Sequence, residues 1–250
     1  MTKNDDDKVF VPGMYLHQTK KRMSTVMIAE RYIREWESNR LSVAKESEHQ
    51  ARINNCICIS RKTGVGALEI ADLVGEKTGL HVIDREIIEY IANDTELRQS
   101  TVENFDERHP GVMSNTGALA SGEKSFSMDE YLRYLISTVY TLADDGPTIF
   151  VGRGTHLILP RERVLAIRII DSREHRIRRV AELLDISNGS AEKKIAAEDR
   201  MQTDFFKANF RKISAPPTEF DLIINRDFFS RTTWAADIIV EAYKLKFGGW

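Results

Sequence analysis

The stretch "ISRKTGVGALEIADLVGEKTG", residues 59–79, decides how the rest of the chain is read. An apolar run ends at Ser60, passes through Gly64 and Gly66, and leads straight into an amphipathic helix over residues 67–78. A helix start offers unpaired N–H groups and the positive end of the helix dipole, and glycines let the backbone approach an anion closely. Loops of this design usually carry Lys after the last glycine and then Ser or Thr. Here the residues are Ala67, Leu68 and Glu69. Two glycines between a strand and a helix also make an ordinary turn. The stretch therefore poses two questions: whether it binds phosphate, and what replaces the lysine. Arg61 and Lys62 precede the glycines, and either could fold its cation over a phosphate.

Outward from this stretch, short apolar runs alternate with helical periodicity. The expected strands are "CICIS" (56–60), "HVID" (81–84), "TIFVG" (148–152), "LAIRII" (165–170) and "DLIIN" (221–225). The first three and the last lack clean polar alternation, the pattern of strands covered on both faces. Helices are expected at 67–78, 85–93, 128–143, 173–184, 188–210 and 231–246. This alternation predicts an α/β fold with one parallel sheet between helical layers and the first strand at its centre. Residues 95–127 are polar, contain Pro110, Gly111, Gly117 and Gly122, and read as a lid or substrate loop.

In such a sheet ligands bind at the C-terminal strand ends. "VIDRE" puts Asp84 and Arg85 at the end of the second strand, and "VGRG" puts Arg153 between Gly152 and Gly154 after the third. "DSREHRIRRV" starts a helix with Asp171 or Ser172 as N-cap and sets Arg173, Arg176 and Arg179 within reach of one face. Asp199 and Arg200 follow in "AAEDRMQ". Any single arginine is best read as a solvated surface residue. Several at consecutive strand ends point to a polyphosphate, whose oxygens a guanidinium matches bidentately.

Composition limits the alternatives. Charged residues are 30% and apolar ones 42% of 250, with a net charge of −2. That balance supports neither a nucleic-acid nor a membrane surface. No apolar run approaches the roughly 18 residues needed to span a bilayer, and the polar, acidic start is unlike a signal peptide, so a cytoplasmic location is expected. Cys56 and Cys58 alternate on one strand face and read as buried thiols. From Met23 to about Glu48, Val26, Ala29, Ile33 and Trp36 recur at helical spacing. Residues 1–52 are thus expected to be a flexible start plus an amphipathic helix for a protein partner or self-association, and 53–250 the main domain.

The order of these motifs resembles the cytidylate-kinase-like family, a nucleoside monophosphate kinase branch of the P-loop fold. The resemblance rests on "ISR" with its glycines, "VIDREIIEYIA", "VGRGTHLIL", "RIRRV", "AEKKIAAEDR" and "FDLIIN". It implies a three-layer α/β/α kinase fold with a five-stranded parallel sheet, and phosphoryl transfer from ATP with Mg2+ to a nucleoside monophosphate such as CMP. It further implies that Ser60, Arg61, Lys62, Thr63, Gly64, Val65, Gly66 and Ala67 cradle the donor phosphates. Asp84, Arg85, Arg153 and, from "FDERHPG", Arg108 would face the acceptor. Arg153, Arg176, Arg179 and Arg200 would serve the transferring phosphoryl. Two departures stand out. No hydroxyl follows the glycines, which leaves Glu69 as the metal candidate. Gly154 stands where typical cytidylate kinases carry Asp after Gly-Arg. The second reading is therefore a nucleotide-binding regulatory protein with weak or no turnover, engaging a partner through its N-terminal helix.

Overall fold

Strand β1, Cys56–Arg61, is buried on both faces because every residue from Cys56 to Ile59 meets a hydrophobic layer. Cys56 and Cys58 face one core and Ile57 and Ile59 the other, the period-two alternation of a strand. The computed structural model describes Met27, Arg31, residues 53–85, Ile88, 126–213 and 215–248. Met27 and Arg31 are helical, as are Arg85 and Ile88. The remainder of the expected helices over 23–48 and 85–93, and the polar stretch from 95 to 125 with Arg108, lie outside the described residues.

After β1 come α1 (Ala67–Thr78), β2 (His81–Asp84), α2 (Phe126–Asp145), β3 (Thr148–Val151) and the short α3 (Thr155–Ile158). They are followed by β4 (Val164–Ile170), α4 (Arg173–Leu184), α5 (Asn188–Phe210), β5 (Leu222–Asn225) and α6 (Thr232–Phe247). The sheet runs β2-β3-β1-β4-β5, with all pairs parallel and β1 in the middle. Its C-terminal ends therefore converge beside the loop after β1. One layer packs α2 against Cys58, Ile83, Phe150 and Ala166. The opposite layer packs α1 and α6 against Ile57, Ile149, Leu165 and Ile167.

Two strands differ from expectation. β2 and β5 form the sheet edges, with His81 exposed on one and Ile223 39% exposed on the other, so neither is covered on both faces throughout. An edge strand has one neighbour, and the layers thin there. Both cysteines are buried free thiols. Burial raises the pKa of each, Cys56 to about 12. They are packing residues, as a low-dielectric site suppresses the thiolate. Among the described residues no helix is long and apolar enough to cross a membrane.

Candidate active site

The loop after β1 turns through two left-handed glycines, Gly64 at φ 88° and Gly66 at φ 73°. Gly66 is the N-cap of α1, and no side chain caps the helix. The first-turn N–H groups thus have no side-chain acceptor from the cap, the condition for anion capture. Helix α4 also presses on both glycines. A Cβ on Gly64 would lie 3.0 Å from Val180 and 3.2 Å from the Arg176 Cβ. A Cβ on Gly66 would lie 3.0 Å from the Arg179 guanidinium carbon. Helix α4 therefore seats directly on the loop, with Arg179 over its last glycine.

Ser172 caps α4 by accepting from the His175 N–H at 3.3 Å. Its own N–H and hydroxyl donate to Asp227, at 3.0 and 2.7 Å. Asp171 takes the His175 ring at 2.7 Å. Asp171, His175 and Asp227 place ligand atoms within 4.8 Å of one another. Their contacts already account for them as a capping network.

The three arginines spaced along α4 each meet a different carboxylate. Arg173, exposed, pairs with Glu192 at 2.8 Å. Arg176, 5% exposed, donates to both oxygens of Asp199, at 2.9 and 3.1 Å, and to the Thr63 carbonyl at 3.1 Å. It ties α4, α5 and the loop together. Arg179 donates to Glu69 at 2.6 Å. Arg200 is exposed on α5.

Across β1 lies a different arrangement. Asp84 is buried at the end of β2, and Arg85 follows it, 3.4 Å from Glu198 on α5. After β3, Gly152, Arg153 and Gly154 all have positive φ, at 97°, 52° and 71°. A non-glycine residue held there is strained by roughly 1–3 kcal/mol, a cost that concentrates at functional sites. The Arg153 guanidinium lies 4.2 Å over the Phe205 ring, a cation–π contact. Arg61 turns toward this side: a Cβ on Gly152 would meet its guanidinium carbon at 3.3 Å. Arg61, Arg85, Arg153, Glu198, Met201, Gln202, Phe205 and Phe206 line a cavity of about 370 Å³. That volume lies within the range of small-molecule sites. Burial first, then the charges of Arg85 and Arg61, pull the Arg153 pKa down to about 9. An anion in the cavity would relieve that repulsion.

Lys62 is exposed and lines a neighbouring hollow with Arg168, Asp199 and Gln202. Ser60 is buried at the strand end and accepts from Arg168 at 2.5 Å. Gln202 borders both hollows and donates to the Arg61 carbonyl at 2.7 Å. Gly154 has its own reason to be glycine. A Cβ there would come within 2.6 Å of the Phe210 ring, so an Asp at that position would clash.

Sequence reasoning overlooked Glu198, Gln202, Phe205, Arg168 and Arg226. Glu198, Gln202 and Phe205 recur at i, i+4 and i+7, and that spacing on one helix was a usable signal. Arg226 directly follows a strand, as Arg85 does, and the same rule would have found it. At the start of α1, a metal has no ready ligand. Ala67 and Leu68 carry no side-chain oxygen, and the Glu69 carboxylate is engaged by Arg179. These residues do not fit a protein-held magnesium ion. The cationic and donor groups at hand there are the guanidinium groups and the backbone N–H of the helix start.

A solved structure of an uncharacterized protein from Eubacterium ventriosum aligns with a TM-score of 0.57 at 16% identity, covering 77% of this chain and 99% of that one. A shikimate kinase from Bacteroides thetaiotaomicron aligns with a TM-score of 0.37 at 13% identity, covering 76% and 95%. The first likeness concerns the fold alone, and the second is too distant to add to it. No curated protein matches the sequence. The cytidylate kinase-like family matches residues 56–227, which span the sheet, the glycine loop and the arginine cavity, and the chain belongs to that family.

Proposed function

We propose that this protein is a nucleotide kinase that transfers phosphoryl from ATP, with magnesium accompanying the nucleotide, to a nucleoside monophosphate such as CMP. One observation carries the reading. Three guanidinium groups, from Arg61, Arg85 and Arg153, line a cavity of about 370 Å³ beside the glycine loop, with Phe205 and Phe206 in the same wall. A monophosphate would meet the guanidinium groups, and its base the aromatic rings. ATP phosphates would take the N–H groups at the start of α1. The two sites adjoin at the end of β1, so an in-line transfer needs positioning and charge neutralisation more than covalent chemistry. Cytoplasmic nucleotide metabolism is the setting this activity suits.

The test is to incubate the protein with ATP, magnesium and a panel of monophosphates and follow ADP. Acceptor-dependent ADP formation supports the kinase. A protein that binds ATP yet forms no ADP with any monophosphate would instead be a regulatory nucleotide binder, with the N-terminal segment as its partner surface. Ala67 in place of lysine, and Glu69 holding Arg179, are what favour that second reading.

A further inference from the structure

Arg226 is the first residue after β5, and it is 3% exposed. Its N–H donates to the Ile170 carbonyl at 2.8 Å, which locks its backbone onto the β4 end. Its Nη2 donates to the Ser230 carbonyl at 3.0 Å. Its Nε and Nη1 are buried without a hydrogen-bond partner. A buried guanidinium with two idle donors is costly, since each lost partner leaves its desolvation uncompensated. The charges it feels are Arg179, Glu69 and Asp171. Burial first, and then Arg179, pull its pKa below the ordinary arginine value.

Glu69 lies beside the uncapped start of α1, where Arg179 holds its carboxylate at 2.6 Å and Arg226 feels its charge. The Arg179 guanidinium also lies against Gly66, where an anion on the loop would sit. The charges balance at this point, but two donors of the buried Arg226 guanidinium still have no acceptor. A phosphate oxygen would supply the missing acceptor for Arg226 and compete with Glu69 for Arg179.

We infer that Arg226 and Arg179 together take the place of the absent helix lysine as the cations for the donor's phosphates, with Glu69 as a placeholder anion that the phosphates displace. This rests on the reading of the glycine loop as a donor-phosphate site. The ligand class is a linear polyphosphate, free or as part of a nucleoside triphosphate.

The experiment is calorimetric titration of the full chain with inorganic tripolyphosphate and with ATP, at low ionic strength, alongside thermal melts without ligand. In Arg226→Met, affinity for both ligands falls at least tenfold, while the ligand-free melting temperature holds or rises. In Glu69→Gln, affinity rises about three- to tenfold because Arg179 is released. Arg178→Gln, a change at an exposed arginine on the same helix, leaves affinity unchanged and controls for bulk charge. An Arg226→Met protein that melts lower but binds within twofold of the parent makes Arg226 structural and overturns the inference. Should that variant not fold, Arg226→Lys and Glu69→Gln decide, and unchanged affinity in both overturns it equally. A parent that binds neither ligand also overturns it. The kinase reading fails separately: an Arg226-dependent polyphosphate site with no acceptor-dependent ADP would keep this inference and remove the kinase.

Discussion

The two sides of β1 use the same residue type in opposite ways. Toward α4, Arg173, Arg176 and Arg179 each meet their own carboxylate: Glu192, Asp199 and Glu69. Toward β2 and β3, Arg61, Arg85 and Arg153 line a cavity together with Glu198, which Arg85 meets at 3.4 Å. A paired buried guanidinium holds elements together, whereas a cavity with surplus positive charge invites an anion. Arginines at strand ends are therefore not one class. Where each guanidinium points, not its position in the motif, decides which one spans two elements of the fold and which one faces the cavity.

Arg176→Ala should break this contrast most severely. It removes both hydrogen bonds to Asp199 and the one to Thr63 and leaves Asp199 without its guanidinium. Breaking a buried pair costs about 3–5 kcal/mol, so urea unfolding should show a loss in that range. A loss under about 1 kcal/mol would mean that α4 is seated by its hydrophobic contacts alone.

Arg153→Ala should do the reverse. Stability should change little: Ala keeps the Cβ and with it the left-handed strain, and loss of the Phe205 contact is offset by removal of a buried positive charge. Acceptor use should weaken by about 1.5–3 kcal/mol, the range for a hydrogen bond to a charged group. Unaltered acceptor kinetics in a folded variant would remove Arg153 from the site.

Arg61 sharpens the comparison further, because it precedes the glycine loop yet lies against Gly152. Arg61→Ala should lower kcat/KM for the acceptor about tenfold, or ~1.4 kcal/mol. The KM for ATP should stay within about twofold of the parent. If ATP binding suffers instead, Arg61 swings over the loop when nucleotide arrives.

The last effect is on stability against pH and concerns His156, in the short helix that follows Gly154. Its side chain is 3% exposed, 3.6 Å from Glu219, with the ring tilted 5.0 Å from Phe220 and Arg168 and Lys212 as further charged neighbours. Burial, only partly opposed by Glu219, pushes its pKa down to about 4. The folded state therefore prefers the neutral ring. Stability is full above the unfolded value near 6.5 and falls as pH drops from there toward 4. The parent should lose on the order of 1–2 kcal/mol between pH 7 and pH 5, and His156→Gln should show a flatter profile. Equal slopes would assign the acid sensitivity elsewhere.

What the sequence determined by itself is local. Gly66 and Gly79 bracket α1, and Ser172 and Ser187 start α4 and α5, because caps and glycine turns act over a few residues. The unbroken apolar runs required a sheet covered on both faces, and right-handed crossovers then put β1 at its centre. The two glycines alone left the loop open between a phosphate cradle and an ordinary turn. Where each arginine points was decided by tertiary structure. Arg179 finds Glu69 across 110 positions, Arg176 finds Asp199 across 23, and Arg61 lies beside Gly152 rather than over its own loop. An arginine side chain is long and can turn several ways from one Cα. Its direction follows from partners that only the folded chain brings near, and from which guanidinium groups the fold shuts away from water, as it does Arg226.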